Sequence, residues 1–544
     1  MTSFYSFFAV AIISIGLLFF GVFLTHSGKL TYFINFLIMR YFSYYLWLEN
    51  SGIFLNISEK VISIIPVEDS LYFRCFIFYS TIILIIFFSG IIDRYFLSKI
   101  SIFEFPILIL FLFFGGLCAL SLNNFRDIFL GLEIVTLASY VLITFERQNR
   151  FSTYAGIQYF ILGSLPSARL LIAFGLFYRQ GGSVALQDLD MLFNTITPSS
   201  SMLEQNETRF RLYNTYNVEN ISNSSTWYRF HFESNFFDSY KFIEILETIN
   251  PENSLRIRGI FFLFFNFFFK LTAAPFHVWA PSVYGKAPIV SVAFLSIYSK
   301  ARVFFLIFKL MNGFLHTFSF IIFILFRSIG LLTITTGIVG AFSEKRIKSF
   351  FVYSSMGHVG FRLVGLALGT IEGATAAFHY LFVYILTSFV RWFILLTINR
   401  NTSKLNQFSS LKETHPQLAI FFAFLIFSRS GIPPLAGFFI KLDILAAVIE
   451  SSHYSIIYIL FLCTVVSFFY YLRLIKIMYF DTSDKGRQIS DIISFSNAYA
   501  SELSVPNVYR FWRVSFISIF LCFYRFIIQK PALFILSEIL TTLY

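Results

Sequence analysis

Charged side chains are scarce in this sequence, at 13% of 544 residues against about 25% in soluble domains. With 57% hydrophobic residues, 78 phenylalanines and a mean hydropathy of +0.74, the shortage excludes an ordinary soluble globule. Cysteine is scarcer still. Cys75, Cys118, Cys463 and Cys522 all lie in apolar stretches without a CxxC pair, so neither a disulfide framework nor an Fe–S or zinc site is indicated. Although the net charge is +12, the basic residues are scattered through short loops rather than gathered on one polar face. That distribution speaks against nucleic acid as a partner and for membrane topology. An Arg-rich amphipathic presequence is also lacking: Met1–Leu24 is polar for three residues and then apolar, and is expected to be the first membrane helix.

Runs long enough to cross about 30 Å of hydrocarbon predict about fourteen transmembrane helices, making the fold class all-α and polytopic. They fall at 4–24, 30–48, 71–93, 103–122, 127–145, 154–178, 258–280, 288–310, 317–341, 347–368, 371–398, 416–449, 454–479 and 513–538. The second, interrupted by Arg40, could instead lie in the interface. Alternate loops concentrate the basic residues, as at Arg94 and Lys99, Arg147 and Arg150, or Lys345, Arg346 and Lys348, while the intervening short loops hold few. By the positive-inside rule both termini fall on the opposite, outer side. The sequence divides into N-terminal helices (1–102), the first part of one repeat (103–182), a polar outer loop (183–257), the rest of that repeat (258–310), a second repeat (311–480), and an inner loop with the last helix (481–544). Asn206, Asn220 and Asn223 in the polar loop begin glycosylation triplets, which an Asn- and Ser-rich segment also produces by chance.

What the apolar runs do contain is a small set of ionisable residues. Lys270 (FFLFFNFFFKLTAAPFHVWAP) precedes Pro275 by five residues, and Lys441 (GIPPLAGFFIKLDILAAVI) follows Pro433 and Pro434 by eight and seven. A lysine at the centre of a membrane helix costs roughly 2.5–3.5 kcal/mol on insertion scales and marks an ion path by default. A broken helix at the same depth survives only where protein or a wet cavity satisfies the freed backbone. The breaks occupy the seventh and twelfth helices, so two five-helix units would run in opposite directions as an inverted repeat. Prolines that merely kink and lysines that snorkel from helix ends are the bland alternative. Glu133 is isolated among apolar residues and needs a cation, for which Lys270 is the natural partner. Lys300 lies mid-helix between the other lysines in helix order. His277, His358 and His379 could add proton-transfer steps or simply bond helix to helix.

Six segments, RFSTYAGIQYFILGS, FKLTAAPFHVWAPSVYGKAP, RIKSFFVYSSMGHVGF, GTIEG, FSRSGIPPLAGFFIKL and SFFYYLRLIKIMYF, occur in an order that resembles subunit 2 of the proton-pumping NADH:quinone oxidoreductases, respiratory complex I. The resemblance runs from about residue 103 to 480. It implies an antiporter-like subunit of fourteen helices with inverted five-helix repeats and broken seventh and twelfth helices. Motif by motif, the proton-carrying residues map to Glu133, Lys270, Lys300 and Lys441, with Pro275, Pro433 and Pro434 at the breaks; His277 and His358 remain relay candidates on their own chemistry. It further implies no cofactor in this chain, and a holoenzyme that uses FMN, Fe–S clusters and ubiquinone. The implied partners are the other membrane-arm and accessory subunits and membrane phospholipids, with no nucleic acid. The implied location is the mitochondrial inner membrane, multi-pass, with both termini facing the intermembrane space. High Phe, Ile and Tyr usage suits an AT-rich organellar genome, although a plastid or bacterial counterpart shares the pattern. An antiporter subunit of a multisubunit cation/proton exchanger is the competing function; an ordinary solute transporter would need substrate-sized polar clusters at the breaks.

The chain departs from that pattern in three places. The 183–257 loop is long, and the first hundred residues match in hydropathy alone. Arg169, Arg302, Arg362, Arg391 and Arg429 stand where neutral residues are expected. Either they face water, headgroups or acidic partners, or the sequence reflects an organellar gene read without its RNA editing or with the wrong code.

Overall fold

The computed structural model describes residues 104–196, 251–315, 318–398, 405–409, 411–414 and 416–481. These residues are almost wholly helical, and the nearest approach to a strand among them is an isolated bridge between Asn124 and Ala185. The chain runs through α1 (Glu104–Ser121), α2 (Phe125–Ile143), α3 (Arg150–Gly181), α4 (Leu186–Ile196), α5 (Pro251–Leu271) and α6 (Trp279–Lys286). It continues through α7 (Ile289–Met311), α8 (Ser319–Ser343), α9 (Ile347–Leu366), α10 (Ile371–Ile398), α11 (Pro416–Ser430), α12 (Ala436–Glu450) and α13 (Tyr454–Tyr479). Each span expected between 103 and 479 coincides with a helix or a pair of half-helices. The spans expected at 4–24, 30–48, 71–93 and 513–538, and with them the total of fourteen, lie outside the described residues.

By length and composition α3, α7, α8, α10 and α13 can cross a bilayer. Their burial separates two roles. Helices α7 and α10 are apolar and buried nearly all round, as interior helices are, whereas α3, α8 and α13 bury about a third of their length. The exposed faces of the latter carry Ile157, Phe160, Ile161, Leu165, Tyr458, Phe461 and Phe469, the side chains expected against lipid. Helices α8 and α9 pack at glycine distance, since a Cβ on Gly360 would lie 2.6 Å from the Gly330 carbonyl oxygen. Small residues are how membrane helices reach such contact without a hydrophobic driving force.

Two elements differ from the expected polar loop. Helix α4 lies inside the 183–257 segment, and Leu189 and Phe193 bury its apolar face, with Phe193 edge-on to Phe177 and Phe318. Helix α5 starts at Pro251, seven residues before the expected 258, with proline where its missing N–H costs nothing. The short amphipathic stretch LQDLDMLFNTI was hidden by the polar average of the residues around it.

Candidate functional site

Both interrupted helices have a lysine at the break, one in the last turn of the first half and one in the second half reaching back to it. The helix α5 ends at Leu271 with Lys270 in its last turn, and the chain crosses Thr272–Val278 before α6 resumes at Trp279. Helix α11 ends at Ser430, and Lys441 reaches back from α12 to donate to the Ser430 carbonyl at 2.8 Å. The C-terminal carbonyls of a helix lack intrahelical partners and carry partial negative charge, so each break attracts a cation. In sequence the lysines lie on opposite sides of their prolines; the Lys441 ammonium folds back to the carbonyl end of α11, while Lys270 belongs to the last turn of α5. The peptide bonds Ala274–Pro275 and Pro433–Pro434 are cis. Freed donors are met inside the protein: Ala274 N–H donates to Thr333 Oγ1 on α8 at 3.0 Å, and Ala273 N–H to the Phe268 carbonyl at 2.9 Å. Gly431 turns the second break at φ +91°, a conformation open to glycine, and a Cβ there would meet Lys441 Cδ and Nζ at 3.2 Å.

Lys300 follows a π-helical turn, Leu295–Ser299, in α7 and is 1% exposed. Such turns shift the side-chain register of a helix and recur at functional sites. Its ammonium donates to Ser355 Oγ on α9 at 2.8 Å, and the Ser355 hydroxyl donates to the Val352 carbonyl at 2.7 Å. His358 lies three residues further along α9, hence on the same helix face. The Arg429 Nε group, which can only donate, lies 3.3 Å from His358 Nε2, so Nε2 accepts and Nδ1 carries the hydrogen. That N–H donates to the Tyr380 hydroxyl at 2.6 Å, while the Tyr471 hydroxyl donates to Nε2 at 3.2 Å. His358, Tyr380, Tyr384, Thr387, Arg429 and Lys441 share the wall of a small cavity with room for about one water. Tyr384 also reaches back to the π turn, its hydroxyl 3.4 Å from the Ser296 carbonyl. Polar groups thus line up from Lys300 to Lys441, with Ser355 bonded to Lys300, His358 one turn further along α9, and the cavity shared by His358 and Lys441.

Other expected residues are less connected. Glu133 is half-buried on α2 and accepts from Thr136 Oγ1 at 3.0 Å, with Oε1 unpartnered. Lys270 Nζ is also buried without a partner, and no ion pair closes between the two. The expected Glu133–Lys270 pair is therefore open in this structure: Thr136, one turn away, holds the carboxylate on its own helix. His277 lies within the first break with Nδ1 unpartnered and its ring edge-on to Tyr353, linked to none of the lysines. His379 pairs with Asp443 on α12 at 2.6 Å, a partner that reading the sequence passed over. Its signal was available, since Asp443 follows Lys441 by two residues in an otherwise apolar helix. Ser355, Tyr380, Tyr384 and Tyr471 were missed too. Cys118 and Cys463 are free thiols, and no cluster of metal-ligating side chains occurs among the described residues.

Four of the five unexpected arginines are interior. Arg302, Arg362, Arg391 and Arg429 are at most 2% exposed, which removes bulk water, headgroups and partner subunits as their surroundings. The fifth, Arg169, is half-buried, with its guanidinium 3.9 Å from the centre of the Phe265 ring. A buried unpaired ion costs several kcal/mol even after the protein relaxes around it.

A family model described as "NADH:quinone oxidoreductase/Mrp antiporter, TM" matches residues 122–213 and 221–467. The NADH-quinone oxidoreductase subunit N of Paramagnetospirillum magneticum is 32% identical over 390 residues, covering 71% of this chain and 69% of that protein. The subunit N of Parvibaculum lavamentivorans is 32% identical over 389 residues, 70% and 68% of the two chains. Among solved structures, a chain of respiratory complex I from Thermus thermophilus superposes with a TM-score of 0.64 at 20% identity, covering 95% of this chain and 96% of that one. A chain of the Mrp complex from Dietzia sp. gives 0.65 at 18% identity, over 88% and 81% of the two chains. These two likenesses show a shared antiporter-like membrane fold. On the family match and the subunit N relatives, the chain belongs to the NADH:quinone oxidoreductase/Mrp antiporter transmembrane family.

Proposed function

We propose that this chain is the proton-translocating, antiporter-like subunit of the membrane arm of an NADH:ubiquinone oxidoreductase, respiratory complex I. In this reading it is the counterpart of subunit 2, encoded in a mitochondrion and embedded in the inner membrane with both termini towards the intermembrane space. Relatives named NADH-quinone oxidoreductase subunit N support the assembly. The phenylalanine-rich composition supports an organellar gene. The holoenzyme carries FMN, Fe–S clusters and ubiquinone in other subunits, and this chain contributes no redox centre. Its partners are neighbouring membrane-arm and accessory subunits, with phospholipids against the exposed faces of α3 and α13. Fourteen helices in two inverted five-helix repeats belong to the same reading.

The observation that carries it is the polar route from Lys300 to Lys441 through the interior of an otherwise apolar bundle. Glu133, Lys270, Lys300 and Lys441 are the proton-carrying groups, and His358 is a relay between the last two. Quinone chemistry at one end of the arm shifts the charge near Glu133. The open Glu133–Lys270 pair closes or stays apart accordingly, and each change alters the proton affinity of the next lysine along. Coupling of about 1–3 kcal/mol per step, usual between linked sites, is enough to bias transfer. Rotation of the Ser355 hydroxyl away from the Val352 carbonyl would turn its hydrogen towards the route.

The family also covers Mrp antiporters, so a cation/proton exchanger subunit is the second reading. Purifying the native complex separates the two. Co-migration of this chain with NADH:ubiquinone activity sensitive to a quinone-site inhibitor such as piericidin is the expected result. Migration in a smaller complex that exchanges Na⁺ or K⁺ for protons without redox activity would replace it.

A further inference from the structure

We propose that the mature polypeptide carries neutral side chains at positions 302, 362, 391 and 429, the arginine codons there being edited in the message or read as another amino acid. These four arginines lie on four helices, α7, α9, α10 and α11, and are 1%, 0%, 0% and 2% exposed. Their guanidinium groups find few acceptors. Arg391 has no nitrogen in hydrogen-bond geometry, Arg302 lacks partners at Nε and Nη1, and Arg362 and Arg429 lack them at both terminal nitrogens. Each of the latter two makes one bond through Nε, to the His358 carbonyl and to His358 Nε2. Aromatic faces fill the remaining space. Arg362 lies 4.6 Å from the Tyr384 ring centre, Arg429 lies 5.5 Å from the same ring, and Arg391 lies 4.9 Å from Phe351 and 5.0 Å from Trp392.

The charge balance points the same way. Among the described residues no aspartate or glutamate is buried, whereas Lys270, Lys300, Lys309 and Lys441 are buried together with these arginines. The lysines can be reconciled with that setting, because a desolvated amine can shed its proton and each of Lys300, Lys309 and Lys441 has an oxygen partner. A guanidinium cannot lose its charge in a protein, so four fixed cations would have to share one apolar interior in which, among the described residues, no carboxylate pairs with any of them. They would also repel the very protons that Lys300 and Lys441 are placed to carry. Several other described arginines sit in ordinary surroundings. Arg147, Arg150 and Arg346 are exposed, and Arg473 donates to the Phe342 and Glu344 carbonyls at 2.7 and 3.3 Å. Replacement of a subset of arginines, defined by codon or by edited site, fits that split.

The test is the mass of the chain released from the purified native complex, with peptide sequencing across α7, α9, α10 and α11 by a protease that does not cut at arginine. Neutral residues at the four positions, and an intact mass displaced from that of the four-arginine chain by the corresponding differences, are the expected result. Arginine at those positions would overturn the proposal. Should peptides from these apolar helices escape recovery, the intact mass still decides. Comparing the gene with its transcript separates the two routes, either of which supports the inference: a changed transcript indicates editing, an unchanged one indicates a reassigned codon. Because the test reads covalent sequence and not activity, it stands apart from the functional reading.

Discussion

At the level of single residues, the lysines were legible and their partners were not. Lys270, Lys300 and Lys441 stand out because a charge within a run of phenylalanines and leucines has no cheap place to go. Ser355, Tyr380, Tyr384 and Tyr471 do not stand out, because hydroxyl side chains are common in membrane helices and gain meaning only when the bundle shows what they face. The Lys300–Ser355 bond gives the sharpest prediction at this scale. Ser355→Ala removes a hydrogen bond to a charged group, worth about 1.5–3 kcal/mol, and each 1.4 kcal/mol is about tenfold. NADH-driven proton uptake in vesicles should fall about tenfold or more, while Ser355→Thr, which keeps the hydroxyl, should retain most of it. Unchanged uptake in the alanine variant would remove Ser355 from the route. A parallel measurement concerns His358. Tyr380→Phe takes away the hydroxyl that bonds His358 Nδ1, so pumping should fall while assembly of the complex stays intact.

For the helical elements, hydropathy located the spans and the prolines located the breaks, because both follow from local chemistry. The bond from Lys441 to the Ser430 carbonyl was not readable, since the lysine folds back across its break to reach it. Lys441 consequently has two duties, capping α11 and exchanging a proton, and a substitution can divide them. Lys441→Arg keeps a cation for the Ser430 carbonyl but cannot release its proton. The variant complex should assemble at normal levels on native gels and lose most of its proton pumping; full pumping would show that Lys441 only caps. The α8–α9 contact offers a test of packing alone. Gly360→Ala forces a methyl group against the Gly330 carbonyl and should cost about 1–3 kcal/mol, seen as less assembled complex with unchanged activity per complex.

Across the whole molecule, α7 and α10 form the buried interior and α3 and α13 show apolar faces outward, so the polar route lies in the part of the bundle farthest from lipid. The resemblance carried by six short motifs anticipated the family, because two of them span the breaks with Lys270 and Lys441, where backbone and charge leave few alternatives, and the other four follow in the same order. It did not anticipate helix α4, whose amphipathic pattern is too short to emerge from a polar segment, nor the open Glu133–Lys270 pair, which depends on how two separate helices face each other. The central claim is that protons cross this chain by way of Lys300. The measurement that meets it most directly is NADH-driven proton uptake by vesicles containing the assembled complex with Lys300→Ala, read beside NADH oxidation by an artificial acceptor that bypasses the membrane arm. The account predicts at least a tenfold loss of proton uptake with the artificial-acceptor rate unchanged. Wild-type proton uptake in a fully assembled variant would contradict it.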